Sequence, residues 1–196
     1  MGARISGVGT GVLRIDGVES LCGVEYTIMP DRLDIGSIAM LTAATQGNVS
    51  MVGANFDHLG VARAKLEQMG VEFVQDGPVI HVRAALPLRP INVITWLYPG
   101  FATDLQPQMM ALTCLAAGRS YLRETIFNER FSVMQELAKM GAQIEREGDT
   151  AVVRGPARLV GSTVYAHDLR AGQALLLAGA AAEGETIIEN AEMIER

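Results

Sequence analysis

Apolar residues gather along this chain in three Ala-rich stretches, and each stretch is entered from an aspartate. They begin Asp31-Arg-Leu-Asp-Ile-Gly-Ser-Ile-Ala-Met-Leu, Asp104-Leu-Gln-Pro-Gln-Met-Met-Ala-Leu and Asp168-Leu-Arg-Ala-Gly-Gln-Ala-Leu-Leu-Leu-Ala. Each runs to a glycine, Gly47, Gly118 and Gly184, at separations of 16, 14 and 16 residues. The pattern predicts three helices with an acidic start and a glycine stop. A carboxylate at a helix start accepts a bond from a free backbone N–H and suits the positive end of the helix dipole. Glycine supplies the left-handed residue that ends a helix.

After each glycine comes a β-rich segment: Val49 to Val52, Tyr121 to Phe127, and Thr186 to Glu189. Two of the three run on into a second helix. Leu59, Ala62, Leu66 and Met69 fall at helical spacing, as do Met134, Leu137 and Met140. These helices end in Met69-Gly70 and Met140-Gly141, each 23 residues beyond the preceding glycine stop. Two short strands follow in each case, Val71 to Val74 with Val79 to Val82, and Gln143 to Glu145 with Ala151 to Arg154. Leading strands are predicted over Glu25 to Met29 and Val164 to Ala166. The chain is therefore a repeated βαβαββ unit. Met1-Gly2-Ala3-Arg4-Ile5 resembles Met140-Gly141-Ala142-Gln143-Ile144, and the spacing puts the next Met-Gly near position 207, beyond Arg196. The expectation is a fragment cut inside a repeat at both ends; the alternative is the natural terminal variation that repeat proteins often show.

Composition narrows the class. The 196 residues are 49% hydrophobic, 19% charged and only 5% aromatic, with 21 glycines. A chain of this length can bury roughly 70% of its unfolded surface, so a core is expected and disorder is not. The formal charge of −6, with dispersed Lys and Arg, gives no nucleic-acid footprint. Cys22 and Cys114 are far apart and form neither a disulfide framework nor a zinc motif. The longest apolar run, Ala174 to Ala182, is too short to span a bilayer, and no signal peptide opens the chain. The expectation is a cytoplasmic protein that meets neither membrane nor nucleic acid.

Taken bare, the chemistry is sparse. Asp31, Asp104 and Asp168 read as helix caps. Arg32 and Arg170 stand near helix starts, against the dipole, and read either as anion-binding groups or as surface ion pairs. Tyr98-Pro-Gly-Phe-Ala-Thr-Asp104 is a compact loop in which Thr103 or Asp104 would cap the next helix. Gly7-x-Gly9-x-Gly11 leads into a strand over Val12 to Ile15, so it is no phosphate loop. Cys114 reads as core, Met109, Met110 and Met134 as packing, and His58 as a helix start without a second metal ligand.

Longer stretches carry more. Tyr98-Pro-Gly-Phe-Ala-Thr-Asp-Leu-Gln-Pro-Gln108, Glu124-Thr-Ile-Phe-Asn-Glu-Arg-Phe131, Met140-Gly-Ala142 and Asp168-Leu-Arg-Ala-Gly172 resemble the UDP-N-acetylglucosamine 1-carboxyvinyltransferase family. Pro30-Asp-Arg32 and Ala180-Ala-Ala-Glu-Gly-Glu185 do so too, in order along nearly the whole chain. The resemblance implies an α/β fold whose repeated βαβαββ units build an inside-out barrel lobe, helices inside and incomplete here. Residues 1–28 would be the last strands of a first lobe, and residues 29–196 a second lobe with its third unit truncated. Buried helices would account for the apolar faces after Asp104 and Asp168.

The same resemblance implies transfer of the enolpyruvyl group of phosphoenolpyruvate to the 3-hydroxyl of UDP-N-acetylglucosamine, the first committed step of peptidoglycan synthesis. It implies no cofactor and no metal. Asp104 would be the general base. A helix N-terminus weakens a carboxylate as a base, so its orientation should count for more than its basicity. Ile126 would touch the nucleotide sugar through its backbone, Arg130 would lie near the reacting groups, and Asp168 and Arg170 beside the substrates. Arg196 would contact phosphoenolpyruvate, since arginine's planar fork suits phosphate and carboxylate. The partner completing the cleft would be the first lobe of the same protein. That lobe carries the family's cysteine acid, a phosphate-binding lysine and most uracil contacts, roles that neither Cys22 nor Cys114 takes. The isolated chain should therefore not turn over. Departures are Phe127-Asn-Glu-Arg-Phe131 for the usual Phe-Glu-Asn-Arg-Phe, Pro107 and Gln173 at positions usually small, and Trp96-Leu97 before the loop. Alternatives are an enzyme acting on shikimate 3-phosphate, or a non-catalytic paralogue that binds nucleotide sugar.

Overall fold

The computed structural model describes residues 1–85 and 87–194. Three helices form its centre: α1 (Arg32–Ala44), α3 (Gln106–Thr113) and α5 (Leu169–Ala181). All three pack on one another. Small residues make the approach possible, since Ala39, Ala43, Ala111, Ala174 and Ala178 are all fully buried. Every residue of α3 is buried, the polar Gln106, Gln108 and Thr113 included. That is why its sequence shows no polar stripe. Burying Met109, Met110, Leu112 or Leu175 in this centre contributes about 1.5–3 kcal/mol each.

Sheets lie around the helices without closing a barrel. The second unit is the fullest. Its β6 (Asn92–Ile94) runs parallel to β7 (Gly118–Arg123) across α3, and α4 (Val133–Lys139) follows. The hairpin β8 (Gln143–Glu147) and β9 (Thr150–Gly155) completes a sheet of order β6-β7-β9-β8. The first unit repeats this with β3 (Asn48–Val52), α2 (Val61–Met69), β4 (Glu72–Asp76) and β5 (Val79–Arg83), in order β3-β5-β4. The third consists of β10 (Thr163–Tyr165), α5 and β11 (Ile187–Glu189), with the two strands parallel. A separate hairpin, β1 (Arg4–Ser6) with β2 (Arg14–Asp16), precedes them and is exposed throughout. Ile5, Val12, Ile15, Tyr26 and Ile28 all face solvent there. No helix among the described residues is long and apolar enough to cross a membrane.

Several expectations change. Glu25 to Met29 forms no strand, and among the described residues no strand pairs with the outer edge of β3. Alternation makes a segment able to be a strand, but an edge must also be brought alongside it. The strand expected over Tyr121 to Phe127 ends at Arg123. Beyond it the buried Glu124 side chain takes the N–H groups of Ile126 and Phe127, which turns the chain. The left-handed residue after α1 is Gln46, at φ 54°, and not Gly47. α3 ends at Thr113, before Gly118, which already begins β7. Gly70 and Gly141 do take left-handed φ, 106° and 94°, at the ends of α2 and α4.

Candidate functional site

The three aspartates that look alike in sequence separate into two kinds. Asp31 accepts from the N–H of Leu33 at 2.7 Å, and Asp168 from those of Arg170 and Ala171 at 2.7 and 2.9 Å. Both are N-caps, each worth about 1 kcal/mol. Asp104 is not. It sits in a 3-10 turn, Thr103–Leu105, and neither that turn nor α3 has a side-chain cap. Pro107 fills the first turn of α3, where its missing N–H costs nothing.

Released from capping, the Asp104 carboxylate meets two arginines. Its Oδ1 accepts from Arg130 Nη2 at 2.6 Å and lies 3.2 Å from Arg170 Nε. The two guanidiniums come from different units. Arg130 is in the turn Asn128–Phe131 that leads to α4, and Arg170 is in the first turn of α5. Arg130 and Arg170 are 17% and 21% exposed, against 33% for Asp104, so the cations are shielded and the carboxylate faces outward. Oδ2 of Asp104 has no partner among the described residues. Arg130 stacks over the Phe127 ring at 5.6 Å, and its Nε is buried without a partner among the described residues. The arrangement offers a rigidly aimed carboxylate oxygen beside two forks suited to phosphate or carboxylate.

Asp168 joins this group only through the backbone: it caps the helix whose first turn carries Arg170. Ile126 is held by its N–H, which donates to Glu124 Oε1 at 2.8 Å. Arg196 lies outside the described residues. Arg32 is not among the residues bonded to Asp104; its guanidinium lies 5.2 Å from the Tyr98 ring. The two residues line a cavity of about 660 Å³ with His58, Asp31 and residues 28–30. His58 lies in a 3-10 turn before α2, with Nε2 3.3 Å from Asn55 Nδ2.

From the sequence Glu124 has no role, and Thr103 stands only as an alternative to Asp104 for a helix cap. Glu124 is 1% exposed and accepts four bonds. Oε1 takes the Thr95 hydroxyl and the N–H groups of Ile126 and Phe127, at 2.8, 2.8 and 3.0 Å. Oε2 takes the Thr103 hydroxyl at 2.9 Å. The signal was a charged residue inside an expected strand, at the head of the stretch Glu124 to Phe131, and an exposed Glu gives the same one. Gln173, at a position expected to be small, receives a bond from Gln108 Nε2 at 2.7 Å across α3 and α5. Of the two thiols, Cys22 is exposed, while burial pushes Cys114 up to about 12. Cys114 is an inert core residue.

Residues 1–196 match the family model described as EPSP synthase (3-phosphoshikimate 1-carboxyvinyltransferase). The whole chain aligns at 59% identity with the UDP-N-acetylglucosamine 1-carboxyvinyltransferase of Thermobifida fusca, covering 46% of that protein. It aligns at 48% with the enzyme of the same name from Desulfofundulus thermocisternus, covering 81% of it. Among solved structures, the enolpyruvyl transferase NikO from Streptomyces tendae superposes with a TM-score of 0.87 at 28% identity. The match covers all of this chain and 47% of that one. An EPSP synthase from Acinetobacter baumannii shares the fold, with a TM-score of 0.62 at 22% identity over 82% of this chain and 42% of its own. The chain thus spans about half the length of most of these relatives.

Proposed function

The chain belongs to the EPSP synthase family, among its UDP-N-acetylglucosamine 1-carboxyvinyltransferases, and from that premise we propose that it forms the second-lobe part of such an enzyme. Residues 1–28 complete the first lobe and residues 29–196 belong to the second. The reaction is transfer of the enolpyruvyl group of phosphoenolpyruvate to the 3-hydroxyl of UDP-N-acetylglucosamine, with release of phosphate, at the start of cytoplasmic peptidoglycan synthesis. The observation that carries this reading is the single carboxylate oxygen of Asp104 shared by Arg130 and Arg170.

The chemistry follows from that oxygen's partner. A sugar hydroxyl is a weak acid, so its proton must leave while its oxygen bonds to C2 of phosphoenolpyruvate. Asp104 Oδ2 is the acceptor, aimed by the two arginines on Oδ1. C3 gains a proton from an acid on the first lobe, giving a tetrahedral adduct that carries the phosphate. Loss of a proton from C3 and departure of phosphate restore the double bond. Arg130 and Arg170, with Arg196 for the phosphoenolpyruvate, balance the anionic charge. Ile126 presents its backbone to the nucleotide sugar, and Asp168 keeps α5 and Arg170 in place. No cofactor or metal takes part in this scheme.

The test is phosphate release by the complete gene product. Release should require both UDP-N-acetylglucosamine and phosphoenolpyruvate, and the 196-residue chain alone should release none. Silence of the complete protein with this pair, or release with shikimate 3-phosphate instead, sinks the reading.

A further inference from the structure

We propose that Glu124 is a positioning residue: one buried carboxylate that locks the loop carrying Asp104 to the loop carrying Arg130. The inference rests on the reading of Asp104 and Arg130 as site residues and adds what holds them in register. Glu124 is 1% exposed and has no cationic partner among the described residues. Four donors satisfy it, and they come from both sides of the site. Thr103, bonded to Oε2, immediately precedes Asp104. Ile126 and Phe127, bonded to Oε1, immediately precede the turn Asn128–Phe131 that carries Arg130. Thr95 braces the rear. Its hydroxyl donates to Oε1 and accepts from Thr125 N–H at 2.9 Å, while Thr125 Oγ1 donates to the Thr95 carbonyl at 2.6 Å.

The geometry points to a specific consequence. Asp104 and Arg130 are 26 residues apart, each in its own short 3-10 turn, and no shared helix or sheet ladder fixes their distance. Their 2.6 Å contact therefore depends on how the two loops are tied, and Glu124 is a side chain bonded directly to both. Charge-assisted bonds of this type are about twice as strong as neutral ones. A misplacement of about 1 Å at a reacting group can cost about 100-fold in rate. A carboxylate that only satisfied its own burial would affect stability and leave the chemistry alone.

The experiment uses the complete protein with Glu124→Ala, Glu124→Gln and Thr103→Val. Glu124→Gln keeps an acceptor for the three Oε1 bonds, and its amide can donate to Thr103 Oγ1. It should keep kcat within about fivefold of wild type, and that rescue is a readout a purely structural role would not separate. Glu124→Ala should lower kcat by about 30- to 100-fold, on the scale of such a misplacement, with KM for UDP-N-acetylglucosamine raised less than fivefold. Thr103→Val cuts only the bond on the Asp104 side and should fold normally, with kcat down about tenfold. A folded Thr103→Val or Glu124→Ala protein with wild-type kcat overturns the proposal. If the wild type releases no phosphate, the functional reading fails, and a crystal structure of Thr103→Val judges the positioning claim alone. The Asp104–Arg130 contact should then open by about 1 Å, and an unchanged contact at 2.6 Å overturns it.

Discussion

Replacing Asp104 by asparagine separates the two tasks of this side chain. Oδ1 holds Arg130 and Arg170, at 2.6 and 3.2 Å, and Oδ2 has no partner among the described residues. Asparagine can keep an oxygen toward the arginines and put its amide where Oδ2 was. The architecture should survive, because the acceptor shared by two shielded guanidiniums remains. What disappears is the ability to take a proton. A positioned general base is worth about 10²–10⁴-fold, which at 1.36 kcal/mol per decade is about 2.7–5.5 kcal/mol of barrier. Turnover of the complete protein should therefore fall at least 100-fold, read as phosphate release from UDP-N-acetylglucosamine and phosphoenolpyruvate. Affinity for the nucleotide sugar, read by calorimetry, should change less than tenfold. Asp104→Ala should do worse on both counts, since it also leaves Arg130 and Arg170 facing each other without a counter-charge. Folded Asp104→Asn protein with turnover within tenfold of wild type would refute the role of proton acceptor.

Other outcomes can be measured on the chain itself. Cys22 should react with a thiol reagent at pH 8 while Cys114 stays unmodified until the protein unfolds, since burial pushes Cys114 up to about 12. Above about pH 9 the unfolded chain loses a thiol proton that the fold retains. Stability should then fall with rising pH, by about 1.4 kcal/mol per unit up to about 12, and Cys114→Ala should flatten that slope in denaturant melts. Burial raises the Glu136 carboxyl, but bonds from Lys139 and the Tyr165 N–H, with the charges of Lys139 and His167, outweigh it and hold it below 4.5. Glu136 therefore stabilises the fold above that value and loses this as pH falls through its folded value, so Glu136→Gln should weaken the acid-side dependence in pH-jump melts. Gly161→Ala would put a Cβ 2.1 Å from the Glu185 carbonyl oxygen, and the backbone must move. A loss of about 1–3 kcal/mol is expected in urea melts, and an unchanged midpoint would remove that contact from the account.

The helix-and-strand order was legible in the chain because local periodicity and punctuation wrote it there. α1, α3 and α5 follow their aspartates, α2 and α4 end at Met-Gly, and the hairpins β4-β5 and β8-β9 stand where predicted. The stretches that identify the family were equally visible, since they are contiguous runs of residues. Arg130, Arg170 and Asp104 could be nominated from them, but not joined.

What the chain alone could not decide was which identical-looking residues do different things. Asp31, Asp104 and Asp168 occupy one position in the repeat, yet two cap helices and one is left to bind Arg130 of its own unit and Arg170 of the next. A cap is settled within three residues of sequence. The Asp104 cluster closes over 26 residues to Arg130 and wider still to Arg170. Glu124 was hidden for the same reason: a buried tie and a solvated surface carboxylate are the same letter, and only packing removes water from one of them. Edge pairing of residues 25–29 likewise depends on where β3 lies, not on their place in the repeat. Sequence determined the elements and their punctuation, because those are short-range physics. Tertiary structure decided which carboxylates cap, which tie loops together and which face substrate, because burial and distant partners set those roles.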